Sequence, residues 1–212
     1  MHWRVIDGSM TDHYYTQSPS SQHDVGEFQA VLRGKEYRFQ TDAGVFSRQG
    51  IDKGTALLIE ALRCRPGDTV LDLGCGYGPI GIAAADLVGP TGHVYLTDVN
   101  QRAVGLARQN LRLNHITNAT VLGGEEETVW PPEDVDWIVT NPPIRAGKAV
   151  VYGLMDEAYN RLKPGGGLMV VIRTKQGAAS LEKHLTALFG GCETIARGSG
   201  FRVFFCRKHL HS

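Results

Sequence analysis

Residues 139–147 read VTNPPIRAG, so an amide and two consecutive prolines follow an apolar run, Val135-Asp136-Trp137-Ile138-Val139. The run reads as a buried strand, and its end carries two acceptors: the side-chain carbonyl of Asn141 and the backbone carbonyl of Pro142. Such a pair suits the two N–H bonds of an amine whose lone pair is delocalised into a neighbouring π system. Holding both bonds favours a pyramidal nitrogen and aims its lone pair at an electrophile. When the electrophile is already activated, positioning of this kind is most of the chemistry. Each proline keeps the residue before it out of the α region. Neither proline has an N–H to compete for the acceptors. The plainer reading is an Asn-Pro turn, so the position of the triplet in the fold has to decide.

A second cluster lies upstream. LDLGCGYGPIG, residues 71–81, ends a short apolar run and opens a helical one. Gly74, Gly76 and Gly78 permit positive φ and close approach of a ligand to the backbone. Gly76-x-Gly78-x-x-Gly81 also satisfies the dinucleotide pattern, a weak match alone that gains weight from its strand–helix context. Asp98 ends the next strand about twenty residues on, where a carboxylate accepts both hydroxyls of an adenosine ribose. Asp72, just before the glycines, is ill-suited to a pyrophosphate and well-suited to an ammonium group. S-adenosylmethionine carries adenosine, a sulfonium and an α-amino group without phosphate, and fits these residues better than NAD.

The elements that must position these groups alternate from Thr69 onward. TVLDLG, HVYLTDV, ATVLGG, VDWIVTN and GLMVVIRT read as strands. PIGIAAADLV, QRAVGLARQNLRLN, roughly 147–162 and GAASLEKHLTALFG read as helices between them. CETIARG and FRVFFCRK lie too close together for an intervening helix and are expected to pair antiparallel. The prediction is an α/β fold with a mostly parallel sheet, helices on both faces, and ligands at the carboxyl ends of the strands. Upstream, EFQAVLRGKEYRFQTD predicts a β-hairpin turning at Arg33-Gly34-Lys35, and TALLIEALR a helix. Residues 1–24 read as a polar arm and 25–212 as one domain, with the hairpin over 25–45 and the catalytic core over 46–212.

Bulk composition narrows the class. The formal net charge is +0, so no whole-molecule field attracts nucleic acid or an anionic membrane, and such a partner needs a local patch. The 4 cysteines form no C-x-x-C pair and no metal-ligand spacing. Isolated cysteines suit a reducing cytosol, and no signal-peptide h-region or run of about 18 apolar residues occurs. The expectation is a cytoplasmic protein without a metal or a membrane partner; the composition says nothing of its oligomeric state.

VLDLGCGYGPIG, Asp98 and NPPI together resemble the class I S-adenosylmethionine-dependent methyltransferases. More narrowly, AGVFSRQGIDKGTALLIEAL, NPPIRAGKAVV and IRTKQGAASL resemble the small-domain methyltransferase family. Its best-known members are 16S ribosomal RNA guanine-N2 methyltransferases. The resemblance runs from about His13 to the last strand and favours the compact, single-domain type. It implies a seven-stranded Rossmann-like sheet and S-adenosylhomocysteine as product. The loop of Gly74, Cys75, Gly76 and Gly78 would pass under the methionyl-ribose portion, Asp72 would face its amino group, and Asp98 would hold the ribose. Val99 would lie against adenine, with Gly124 and Glu125 at the adenine edge. Phe46 and Thr55 would close over the cofactor, and Asn141 would border it.

One departure bears on specificity. Many relatives place Tyr or Phe after Asn-Pro-Pro, where it stacks on a flipped base; here Ile144 stands there. Pro143, Ile144, Arg145, Lys148, Arg173 and Lys175 are the candidate substrate contacts, the four cations forming a rim suited to phosphates. Arg33, Lys35 and Arg38 on the hairpin would extend that surface, and His13, Tyr14 and Tyr15 would stack on RNA. The expected activity is methylation of an exocyclic amine of ribosomal RNA or a ribosomal subunit, guanine N2 of 16S rRNA first. The alternatives are adenine N6, a protein glutamine amide or another small amino or amide acceptor, an NAD-dependent oxidoreductase, and a non-catalytic RNA-binding paralogue.

Overall fold

The computed structural model describes residues 22–45, 50–124 and 128–210. The arm to residue 21, with His13, Tyr14 and Tyr15, lies outside the described residues. The first elements are β1 (Gly26–Leu32) and β2 (Lys35–Thr41), an antiparallel pair. They turn through Arg33 and Gly34 at φ 50 and 78. Two successive positive φ values give the primed turn that matches strand twist. Alternation along β2 buries Tyr37, Phe39 and Thr41. Phe39 and Phe28 meet the ring of Tyr77, in the glycine loop, edge-on at 5.7 and 6.0 Å. The hairpin thus braces the loop that follows the first sheet strand.

Three cations expected to extend a basic surface are exposed and have partners within the fold. Arg33 donates to the carbonyls of Ile59 and Glu60, Lys35 pairs with Asp86 at 2.8 Å, and Arg38 pairs with Glu27 at 2.6 Å. Arg33 thereby bonds carbonyls at the end of α1 (Lys53–Ala61), sharing that of Ile59 with the N–H of Leu62.

The main sheet has seven strands in the order β5-β4-β3-β6-β7-β9-β8. They are β3 (Thr69–Leu73), β4 (His93–Asp98), β5 (Ala119–Gly123), β6 (Val135–Thr140), β7 (Leu162–Arg173), β8 (Glu193–Gly198) and β9 (Phe201–Arg207). β3 to β7 run parallel, and β9 pairs antiparallel with both β7 and β8. Helices α2 (Pro79–Val88), α3 (Gln101–Leu113), α4 (Lys148–Arg161) and α5 (Ala178–Phe189) connect them. Strand periodicity divides the core in two. Val70, Val139 and Val171 pack with α1, α2 and α3 on one face. Leu71, Ile138 and Val170 pack with α4 and α5 on the other. From β3 the chain builds outward through β4 and β5, then returns to place β6 on β3's other side. That reversal opens a crevice at the carboxyl ends of β3 and β6.

One boundary departs from the sequence expectation. Pro164-Gly165-Gly166 reads as a turn, yet β7 begins at Leu162, paired with Val135. Register then jumps to Trp137↔Gly167, so residues 163–166 bulge from the ladder. Gly165, at φ 78, donates to the carbonyl of Lys208, and Lys208 donates back to Gly166. The bulge accommodates a proline that cannot donate to a ladder.

The hairpin joins the sheet layer through two asparagines. Asn110 exchanges hydrogen bonds with both backbone groups of Gln40 (2.7 and 2.9 Å) and donates to the carbonyl of Tyr77 at 2.8 Å. Asn114, one helical turn on, does the same for Arg38. Positions i, i+4 on a helix and i, i+2 on a strand advance by nearly equal distances, about 6 and 6.7 Å, so the side-chain amides imitate a neighbouring strand. Asn110 is fully buried. Asn110→Ala is expected to lower stability by about 2–4 kcal/mol, because it strands three backbone groups, the N–H and carbonyl of Gln40 and the carbonyl of Tyr77. Urea unfolding measures this; a loss below about 1 kcal/mol would mean water takes over those bonds.

Candidate active site

β3 delivers Asp72 into the crevice floor. It is fully buried, and one carboxylate oxygen accepts from the N–H of Gly81 at 2.8 Å. The other, Oδ1, has no partner among the described residues. Burial pushes the carboxyl from 3.8 up to about 7; the Gly81 N–H opposes the rise and the charge of Asp98 adds to it. Gly81 has to be glycine for packing: a Cβ there would lie 2.4 Å from Leu96, on β4. Its absence lets α2 approach the sheet closely enough to bond Asp72.

The glycine loop is fastened at both ends. Gly74 and Cys75 donate to the carbonyl of Thr97 at 2.8 and 2.9 Å. Gly76 donates to Asp98 at 2.9 Å. Gly74, Gly76 and Gly78 have φ 74, 57 and 100, all in the left-handed range. A Cβ built on Gly74 or Gly76 would meet no atom within 4 Å, so the loop lines open space. Cys75 is turned the other way. Its side chain is buried in the core, and burial, with Asp98 and Asp72 nearby, raises its thiol well above the ordinary range. Only its backbone belongs to the surface of the loop.

Asp98 ends β4 half-buried and gathers the surrounding backbone. Asn100 donates to its second oxygen at 2.9 Å. Burial raises its pKa against the N–H groups of Asn100, Gly76 and Val99. Asn100 in turn caps α3 by accepting from Arg102 and Ala103. Gly124 donates to the Asp98 carbonyl at 3.1 Å. The residue before it, in the strand-end stretch 123–125, is fixed as glycine by the same carbonyl. Gly123, at φ 115, would carry a Cβ only 2.0 Å from that same carbonyl. The glycine pair at a strand end was the available signal. Val99 is half-buried against the α4–α5 core. Glu125 and Phe46 lie outside the described residues.

β6 brings Asn141 alongside. The hydroxyl of Thr140 donates to the Leu73 carbonyl at 2.8 Å, tying the ends of β6 and β3. The Asn141 amide nitrogen donates to Thr55 Oγ1 at 3.0 Å and to Asp52 Oδ2 at 3.3 Å. Thr55, expected to touch the cofactor, is buried and accepts from Asn141, because Asp52 caps α1 and fixes its first turn there. Sequence reasoning missed Asp52; its only sequence signal is an N-cap aspartate three residues before a threonine.

The two prolines behave partly as expected. Pro142 is buried, but its carbonyl accepts from the N–H of Ile144 at 2.9 Å. Pro143, at φ −77 and ψ 81, is the centre of this inverse γ-turn. The prolines remove their own donors, but Ile144 supplies one, leaving Pro142 a second lone pair to offer. Ile144 opens a single 3-10 turn to Ala146 and is itself half-buried against the α4–α5 core.

Arg145, Lys148, Arg173 and Lys175 are all exposed at this end of the sheet. Lys148 sits over the ring of Tyr152 at 5.1 Å and Arg173 over that of Phe201 at 4.6 Å. Among the described residues none of the four is in an ion pair. Among those residues, too, no group of three or more His, Cys, Asp or Glu could hold a metal ion, and no helix is long and apolar enough to cross a membrane.

A seven-stranded sheet of this order, with a glycine loop after β3, a carboxylate ending β4 and Asn-Pro-Pro after β6, defines a class I S-adenosylmethionine-dependent methyltransferase. The model of the methyltransferase small domain matches residues 36–205, and the chain belongs to that family. It is 37% identical over 202 residues to the Bacillus subtilis protein YbxB, described as uncharacterised, covering 94% of this chain and 100% of that one. It is 34% identical over 170 residues to ribosomal RNA small subunit methyltransferase C of Pseudomonas aeruginosa, covering 78% of this chain and 49% of that enzyme. It therefore spans about half the length of that relative. Among solved structures, the T. Thermophilus 16S rRNA N2 methyltransferase RsmC, in complex with AdoMet and guanosine, superposes with a TM-score of 0.77 at 29% identity. That match covers 90% of this chain and 52% of the other.

Proposed function

We propose that this protein methylates an exocyclic amine of ribosomal RNA, with guanine N2 of 16S rRNA as the favoured target. One observation carries the reading: among the described residues the carbonyl end of Asn141 is left without a donor beside an open glycine cradle, and cations that form no ion pair with those residues edge that crevice. The guanosine in the RsmC structure supports the choice of base.

The residues present fit S-adenosylmethionine. An orphaned, buried carboxylate oxygen on Asp72 answers its ammonium group, and the space over Gly74 and Gly76 admits its body against bare backbone. Bound there, the cofactor supplies a methyl group already activated on sulfonium. Asp98 keeps a lone pair on each oxygen for the ribose hydroxyls. Asn141 Oδ1 and the free lone pair of Pro142 accept the two amine N–H bonds and orient the nitrogen for in-line attack. No strong base is needed, since the proton leaves after transfer. Ile144 offers an apolar surface to the base without an aromatic face. Arg145, Lys148, Arg173 and Lys175 hold flanking phosphates.

The direct assay incubates the enzyme with tritiated cofactor and a lysate, then digests with RNase or with protease. Label lost to RNase is expected. Label lost only to protease would overturn the RNA reading in favour of a protein amide.

Asp72 also predicts a pH dependence. Its carboxyl, at about 7 in the free protein, is mostly protonated at about pH 6 and mostly ionised at about pH 8. An ammonium pairs with the ionised form, so cofactor affinity should fall about tenfold over that interval as pH drops. Stability moves the opposite way: because the folded pKa is raised, this group favours the free folded protein as pH falls through 7 toward 4. Calorimetry in buffers of differing ionisation enthalpy should register proton release on binding. Asp72→Asn should flatten the profile, and a variant profile as steep as wild type would assign the proton elsewhere.

A further inference from the structure

The two ends of an asparagine amide are nearly the same size and opposite in polarity. Turned by 180°, Asn141 would present its NH₂ to the N–H bonds of the acceptor, and no hydrogen bond would form. Something has to choose the productive end. We infer that Asp52 is a positioning residue that makes this choice, with Thr55 holding the chosen end in place, an inference that rests on the assignment of Asn141 as the amine's acceptor.

Asp52 Oδ2 stands 3.3 Å from the Asn141 amide nitrogen. An ionised carboxylate only accepts, so the amide can face it with NH₂ and never with its carbonyl. Flipping would set two oxygens against each other at that distance. Thr55 Oγ1, at 3.0 Å, takes the same nitrogen. The choosing group is itself held fast. Asp52 is the N-cap of α1, and Oδ2 also accepts from the N–H of Thr55 at 3.0 Å. Thr55 is buried. Between them, a Cβ on Gly54 would lie 2.6 Å from the Phe201 ring and 3.0 Å from Asp52 Oδ2, so α1 begins hard against β9. One carboxylate oxygen therefore serves both the helix start and the amide. Capping alone does not account for a carboxylate here. Asparagine, serine and aspartate cap about equally well, but only aspartate rejects a carbonyl outright.

The test follows that difference. Asp52→Ser keeps a cap through its hydroxyl and loses the discrimination, since a hydroxyl can accept from the NH₂ of Asn141 or donate to its carbonyl. Its kcat should fall at least tenfold, with KM for S-adenosylmethionine within about twofold of wild type. Asn141→Asp sets two carboxylates face to face and should be poorly active. The double variant Asp52→Asn, Asn141→Asp restores a donor opposite an acceptor, and should exceed Asn141→Asp alone by at least tenfold. Thr55→Ser should exceed Thr55→Val. Each protein is assayed on whichever fraction, RNA or protein, the wild type labels, after circular dichroism has verified folding. Full turnover in Asp52→Ser, or a double variant no better than Asn141→Asp, would overturn the inference. If Asn141→Ala is as active as wild type, the acceptor assignment fails and takes the inference with it. An inactive Asn141→Ala beside a normal Asp52→Ser overturns the inference alone.

Discussion

Replacing Asn141 with alanine is expected to lower methyl transfer about 100- to 1,000-fold, with S-adenosylmethionine affinity within about twofold of wild type. The split follows from what the side chain touches. Its NH₂ is spent on Thr55 and Asp52, inside the protein. Its carbonyl is the end available to the acceptor. Removing it takes away a dipole fixed before the reaction and leaves the glycine loop, Asp72 and Asp98 in place. The lost interaction matters most once the nitrogen begins to pyramidalise, so kcat carries the effect. Single-turnover kinetics beside calorimetry would measure both quantities. An equal loss in both would mean that Asn141 chiefly holds the cofactor.

The second large effect is expected at Asp98. Asp98→Ala should weaken S-adenosylmethionine binding about 100- to 1,000-fold. Two charge-assisted hydrogen bonds to hydroxyls contribute about 1.5–3 kcal/mol each, and less than their sum is lost if water enters. The same change frees the N–H groups of Gly76 and Asn100, so the loop loses its tether at one end. A second readout comes from Asp72, whose pKa the charge of Asp98 helps to raise. In the Asp98→Ala protein the pH midpoint of residual binding should move down. An affinity unchanged by Asp98→Ala would remove this residue from the cofactor site.

Where a local constraint decides the structure, the sequence was readable. Arg33-Gly34 could only be a tight reversal, Pro79 only a helix start, and the short apolar runs alternating with helical ones only a parallel sheet. Where a partner far along the chain decides, it was not. Asp52 is legible as a helix cap but not as a partner of Asn141, which lies 89 residues away. Arg33, Lys35 and Arg38 looked like a surface without partners because Glu60, Asp86 and the hairpin's own Glu27 become theirs only on folding. Pro164-Gly165-Gly166 carries every local mark of a turn, yet bonds from Lys208 draw it into the sheet. Gly123 and Gly124 are indistinguishable as letters; only the 2.0 Å approach to Asp98 separates them. The acceptor pair was legible as chemistry. The N–H of Ile144, which competes for one member of it, was not, because an inverse γ-turn leaves no mark of its own in the sequence.

Nucleoside mass spectrometry of ribosomal RNA tests the central claim most directly. RNA from cells lacking this protein is compared with RNA from the parent, and with cells complemented by wild type or by Asn141→Ala. The account predicts one methylated nucleoside, N2-methylguanosine, that disappears in the deletion, returns with wild type and stays absent with Asn141→Ala. Identical nucleoside profiles in all four strains would contradict it.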